Sequence, residues 1–276
     1  MVSFVSLKEL ASQVTDGSSV TMGGSLLHRG PFAFCRELIR QGTKNLTFIK
    51  PSPGYDLDIL SAGRVVSKAL VGIVLMENGY GLAPNYRRAV EKGDVVLEEH
   101  ACATILAGMR AASSGIPFQP LAGLDGSDIP KENGWKKIKN PYGDEEVYVV
   151  PAIRPDFAII HASEVDVKGN VRVNGTPYWD RILSRSAKKV LITAEKVVPH
   201  EEFLKIPERT LIPGFMVDSI AVVPKGAWPG TSFGDYDVDH EAVREYLEFS
   251  KGDKTILSTH LENAPEMKNR EVTVNA

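Results

Sequence analysis

The sequence predicts an α/β fold with an open, largely parallel sheet flanked by helices. Three observations carry this. Strand-like and helix-like segments alternate along most of the 276 residues, glycines close several of the helical segments, and an apolar content of 43% supplies a core of ordinary size.

The elements follow in order. "SSVTMGG" (18–24) reads as a short strand ending in glycines, and "PFAFCRELIRQG" (31–42) as a helix opened by Pro31 and stopped by Gly42. "NLTFI" (45–49) is a strand, "LDILSAG" (57–63) a short helix and "ALVGIVL" (69–75) a strand. "NYRRAVEKG" (85–93) is a helix with a glycine stop, "GDVVLEE" (93–99) a strand and "ATILAGMRAASSG" (103–115) a helix. A polar stretch rich in Gly, Asp, Lys, Asn and Pro, residues 121–147, interrupts the alternation. It reads as a long excursion ending in a hairpin-like strand pair, and its length suits a lid or partner-contacting flap. The second half resumes with strand "PDFAIIHA" (155–162), turn "DVKGN", helix "PYWDRILSRSA" (177–187), strand "KKVLITAE" (188–195) and strand "SIAVVP" (219–224). A final helix, "DHEAVREYLEFSK" (239–251), precedes a polar tail. One interlocked domain, residues 1–276, is the expected organisation.

Composition narrows the function classes. A net charge of −3 with both signs dispersed argues against nucleic acid and anionic membranes as partners. Cys35 and Cys102 have neither metal-site nor disulfide spacing, and no metal site is expected. The first residues lack the pattern of a secretory signal, and no run approaches the roughly 18 apolar residues of a membrane span. A cytoplasmic location is expected.

In parallel α/β sheets ligands collect beyond the carboxyl ends of strands, which directs attention to "MGGSLLHRGP" (22–31) and "VVLEEHA" (95–101). Gly23 and Gly24 either make a tight strand exit or expose backbone N–H groups to a phosphate or an oxyanion. They match neither a dinucleotide fingerprint nor a P-loop. Side chains alternate in a strand, so Leu97 and Glu99 share one face while Glu98 and His100 share the other. Only one carboxylate of the pair can enter a given crevice. Glu99 would lie near the positive end of the following helix, as a nucleophile or base, or both glutamates would simply cap that helix. Cys102 reads as a structural thiol, although its place in a first helical turn can also activate a cysteine. His28 and Arg29 either meet an anionic substrate or face solvent. Glu77 in "MENGYG" is explained by a turn.

These segments, in this order, resemble the A (α) subunit of family I coenzyme A transferases, in the glutaconate CoA-transferase branch. The resemblance rests on "DGSSVTMGG" with "PFAFCRELIRQGTKNLTFI", on "GLAPNYRRAVEKGDVVLEEHACATILAGMRAASSGIPFQP" with "GSD", and on "IRPDFAIIHASEVDVKGNV", "AKKVLITAEKVV" and "LIPGFMVDSIAVVPKGAWP". It runs nearly end to end. It implies the open α/β fold of that family and an active site shared with a partner, the B (β) subunit, in an A2B2 heterotetramer. Coenzyme A enters as a substrate moiety, with no permanently bound cofactor. A glutamate attacks an acyl-CoA thioester, CoA thiolate opens the resulting anhydride, and the enzyme-bound CoA passes to an acceptor acid. That glutamate belongs to the B subunit. "MENGYG" lacks the serine of the B-type "SENG" loop, so the nucleophile is not moved to this chain. By position, Glu99 is the carboxylate of the shared site. Gly23, Gly24, Ser25, His28 and Arg29 are expected near the substrate, and "GLDGSD" (123–128) opens the flap. Other members of the scaffold hydrolyse, ring-open or decarboxylate acyl-CoA substrates, and there Glu99 would be the base. A reading of another class is a sensor module that binds a sugar phosphate. It would need an attached DNA-binding region, and none is visible.

Overall fold

A computed structural model describes residues 2–77, 79–251 and 255–268. The first half contains β1 (Ser3–Phe4), α1 (Leu7–Ser12), β2 (Ser19–Met22), α2 (Phe32–Gln41), β3 (Leu46–Lys50) and α3 (Tyr55–Ala62). It continues with β4 (Val66–Val71), α4 (Pro84–Glu91), β5 (Val96–Glu99) and α5 (Cys102–Ser113). Helix α2 ends at Gly42, whose φ of 72° places it in the left-handed region that glycine adopts without cost. Helix α4 begins on Pro84, where a missing N–H is no loss.

The excursion folds as β6 (Phe118–Leu121), α6 (Ile129–Glu132), β7 (Lys136–Lys139) and β8 (Glu146–Pro151). These strands form a separate antiparallel sheet in the order β6-β8-β7, broader than the expected strand pair. Strand β7 reads "KKIK" with its lysines exposed, a sequence too polar to signal a strand but suited to a guarded edge.

The second half holds β9 (Phe157–Asp166), β10 (Val171–Arg172), α7 (Asp180–Ser186), β11 (Lys189–Val198), α8 (His200–Lys205) and β12 (Ser219–Val222). It closes with α9 (His240–Phe249), α10 (Thr255–Glu262) and α11 (Pro265–Lys268). Two expectations are corrected by these elements. The chain beyond α9 is not only a polar tail, since α10 and α11 lie there; residues 269–276 fall outside the described residues. Strands β9 and β11 run further than their apolar cores because polar residues pair across them, with Lys196 Nζ 3.4 Å from Glu164.

The main sheet is ordered β1-β12-β11-β9-β2-β3-β4-β5, and every pairing is parallel except β10 on β9. The chain runs outward from β2 to the β5 edge, returns through the excursion to β9 beside β2, and then runs to the other edge. The direction of growth therefore reverses between β2 and β9, the place where open α/β sheets form a crevice. One face is covered by α1 to α4 and α9 around Val20, Phe34, Leu38, Phe48 and Tyr246. On the other, α5 and α7 pack Ile105, Met109 and Leu183 against Ile49, Leu70 and Ala158. Among the described residues no helix is long and apolar enough to cross a membrane.

Candidate active site

The crevice at the β2/β9 junction is filled by the protein itself. Gly23 N donates to Ile159 O at 2.8 Å, Gly24 N to Asp180 Oδ1 at 3.2 Å and Ser25 N to His28 O at 2.9 Å. The anion received by the glycine turn is thus the buried carboxylate of Asp180. A side chain at Gly23 would meet that same carboxylate at 2.9 Å, and Gly24 (φ +69°) is closed in by the backbone of His28 and Arg29. In this arrangement the N–H groups of Gly23 and Gly24 are taken up within the protein, as the tight strand exit requires. Both glycines are demanded by close packing, and their donors are used.

Arg29 is held within the protein in the same way. It is buried, φ 53°, with Nη1 2.6 Å from Asp180 Oδ2. That contact is an ion pair without aligned hydrogen-bond geometry. Nη1 also donates to His161 O at 2.8 Å and Nη2 to Thr176 O at 3.2 Å. It does not face solvent. Beneath the turn, fully buried Lys50 donates to Gly23 O at 2.9 Å and to Asp56 Oδ2 at 2.6 Å. From the side, Arg29 N bonds Thr231 O and Thr231 N bonds Leu27 O, so the 225–236 loop is stitched to the turn. That loop is pinned by Glu195, which accepts from Tyr236 Oη at 2.6 Å and Lys225 N at 2.7 Å and pairs with buried His161 at 2.7 Å.

Ser25 is buried in the turn, while His28 reaches the surface, its Nε2 3.1 Å from Glu77 Oε1. The loop after β4 thereby touches the loop after β2. Between them, Leu26 N bonds Ser52 O, Ile73 N bonds Pro51 O, and a side chain at Gly72 would strike Cys102 N and Pro51 O at 2.7 Å. Cys102 is half-buried, and its thiol donates to Pro51 O at 3.1 Å.

At the β5 end the two glutamates part as strand geometry requires. Glu98 Oε2 lies 2.7 Å from Lys68 Nζ, and Glu98 Oε1 lies 3.2 Å from His100 Nε2. Burial works to raise the Glu98 carboxyl, but Lys68 and His100 outweigh it and hold it below the ordinary carboxylate range. Burial pushes His100 down, against the pull of Glu98, so its imidazole favours the neutral form. Neither glutamate caps α5: no side chain makes a cap bond at its N-terminus, and the Ala101 N–H goes to Thr104 Oγ1 at 3.0 Å. Glu99 is exposed, and its carboxylate makes no hydrogen bond or ion pair among the described residues. Only its backbone is held, with Asn133 Nδ2 donating to Glu99 O at 2.9 Å while Trp135 lies against His100. Both contacts come from the excursion.

The expected site residues therefore share one rim but not one cluster. Glu99 stands three strand spacings from β2, about 14 Å at ~4.8 Å each. Lys50, Asp180 and Ser52 were not anticipated, and Glu77, read as a turn residue, pairs with His28. A lysine ending the apolar run "NLTFIK" was the one visible signal, since a charge there must find a buried partner. Among the described residues no group of three or more His, Cys, Asp and Glu is placed to hold a metal ion.

An open, mostly parallel sheet with a packed turn at its switch point and an unpaired carboxylate at the end of an edge strand define a protein of the open α/β class. The chain belongs to the coenzyme A transferase family, whose profile, "Coenzyme A transferase", matches residues 4–222. It is 31% identical over 271 residues to the A subunit of glutaconate CoA-transferase from Acidaminococcus fermentans, covering 91% of this chain and 84% of that one. The crystal structure of that enzyme superposes with a TM-score of 0.86 at 28% identity, covering 93% of this chain and 86% of that chain. A variant of the decarboxylase AibA/AibB superposes with a TM-score of 0.87 at 31% identity, covering 95% and 97%. An uncharacterized protein of Archaeoglobus fulgidus is 36% identical over 239 residues, 86% of this chain. The chain spans about half, 54%, of that relative's length.

Proposed function

We propose that this chain is the A subunit of a two-subunit CoA transferase that moves CoA between carboxylic acids of dicarboxylic type. It acts as one domain in an A2B2 assembly, with CoA as substrate moiety and no permanently bound cofactor. The observation that carries this reading is the unpartnered Glu99 carboxylate at the end of β5, the outermost strand of the sheet. The N–H groups of Gly23 and Gly24 and the Arg29 guanidinium are engaged within the protein, and His28 pairs with Glu77. A carboxylate left uncommitted at an edge suits a site completed by another chain.

In the chemistry, a carboxylate oxygen of a B-subunit glutamate attacks the thioester carbonyl and expels CoA thiolate, leaving a mixed anhydride. The thiolate then attacks the glutamyl carbonyl and releases the first acid. The acceptor carboxylate attacks the glutamyl-CoA thioester, and the freed thiolate takes the acyl group from the new anhydride. Exchange between ionised acids moves no proton. Glu99 then serves as a hydrogen-bond acceptor that orients the CoA arm or the substrate, and the flap about 121–147 closes over them.

The test is reconstitution with the co-purifying partner. Incubation with acyl-CoA should put a CoA adduct, seen by intact mass, on the partner and not on this chain; an adduct on this chain would overturn the division of roles. Glu99→Gln should leave the complex assembled and lower CoA exchange at least a hundredfold. Release of free CoA without an acceptor acid would replace transfer by hydrolysis, with Glu99 as base.

A further inference from the structure

A second feature lies on the same face of β5 as Glu99. Between α4 and that strand is a cavity of about 250 Å³ lined by Val74, Leu82, Ala83, Tyr86, Val90 and Leu97. Leu97 precedes Glu99 by two residues, so the carboxylate stands on the cavity's side of the strand, about 7 Å further along at ~3.3 Å per residue. The lining is mostly aliphatic, with Arg87 and Glu91 on its exposed side and the Tyr86 hydroxyl as its buried polar group. The Tyr86 hydroxyl is buried and has no hydrogen-bond partner among the described residues. Buried polar atoms are seldom left unpaired, and a free one beside a cavity points to a missing partner. Burial, with the negative charge of Glu99 added, pushes this phenol up to about 12, so it stays a neutral donor. Pockets for whole drug-sized ligands run about 300–1,000 Å³, which makes this one too small for the nucleotide half of CoA.

We propose that this cavity takes the short aliphatic chain of the acyl group that reacts beside Glu99, with the Tyr86 hydroxyl donating to an oxygen of that group. The assignment rests on Glu99 belonging to the active site. At the mouth Arg87 is held, among the described residues, only by an exposed pair with Glu91, 2.8 Å, and can exchange it for a distal carboxylate of the acyl chain.

The experiment uses the assembled complex and a series of acetyl-, butyryl-, hexanoyl- and glutaryl-CoA. Val90→Trp fills the cavity and should lower the ratio of kcat/KM for hexanoyl- over acetyl-CoA at least tenfold. Leu97→Ala widens it and should move the ratio the other way. Methyl resonances of Val74, Leu82, Val90 and Leu97 should shift on adding hexanoyl-CoA and not on adding CoA alone. Unchanged ratios and unmoved methyls, in a complex that still loses activity through Glu99→Gln, overturn the cavity assignment and leave the function standing. Moving methyls in a complex insensitive to Glu99→Gln keep the cavity and discard the role of Glu99. Loss of the partner from Val90→Trp, with Leu97→Ala still paired and unaltered in selectivity, makes the cavity a seat for the other polypeptide and overturns the proposal.

Discussion

Two adjacent carboxylates, Glu98 and Glu99, differ in nearly everything that decides their use. Glu98 is tied to Lys68 and His100, whereas Glu99 is free. The Glu98 pairs are partly exposed, so their loss costs roughly 0.2–1 kcal/mol. Glu98→Gln should therefore leave kcat within about tenfold of wild type, against the near-complete loss expected for Glu99→Gln. Steady-state exchange assays on both variants, made in parallel, check the contrast. Arg29 carries the opposite expectation. Removing it strands the buried Asp180 carboxylate, and breaking such a pair typically costs about 3–5 kcal/mol. Arg29→Ala should lower the urea midpoint accordingly. An unchanged midpoint with a raised KM would return Arg29 to a substrate-binding role.

Among elements, α10 and α11 depend on the core more than on their own sequence. Arg36, fully buried in α2, donates from Nε to Glu266 Oε1 at 2.6 Å and from Nη2 to Glu266 Oε2 at 2.7 Å, a two-pronged pair. Arg40 adds bonds to Glu266 and to Leu261 O, and Tyr55 Oη meets His260 Nε2 at 2.6 Å. Short helices like these are marginal alone. Glu266→Ala should leave Arg36 buried and unpaired, destabilise the fold by about 3–5 kcal/mol, and speed amide exchange in α10 first. Protection in α10 equal to wild type would mean that the helix is held by other contacts.

For the whole molecule, the same cluster makes stability depend on pH. Burial and the nearby Arg36 charge push His260 down to about 3, while an unfolded histidine titrates near ~6.5. Between those values the unfolded chain binds more protons, so stability is fully present above ~6.5 and declines as pH falls toward about 3. Burial alone would raise Glu266, but Arg36 outweighs it and holds the carboxyl at about 2. Its contribution is present above the ordinary ~4.3 and is lost on acidification below that. Urea midpoints measured from pH 7 to pH 4 should therefore fall, and His260→Asn should flatten the upper part of the decline. An identical slope in that variant would assign the decline to other groups.

The alternating apolar segments, the glycine stops and the opposite facing of Glu98 and Glu99 are set by local stereochemistry, and each was legible in the sequence. So was the family resemblance, which is a matter of ordered segments. What could not be read locally was which polar groups are free. Gly24 is satisfied by Asp180, 156 residues away, and Arg29 by that residue and by strand β9. A hydrogen bond depends on which distant element the topology brings alongside, so the glycine N–H groups of the turn that looked like an anion site are taken up by β9 and Asp180. By the same logic, α10 and α11 exist through Arg36 and Tyr55 and not through their own periodicity. The tertiary structure alone decided that the Glu99 carboxylate is left without a partner among the described residues, because saturation of buried donors and acceptors is a property of the packed chain and not of any segment.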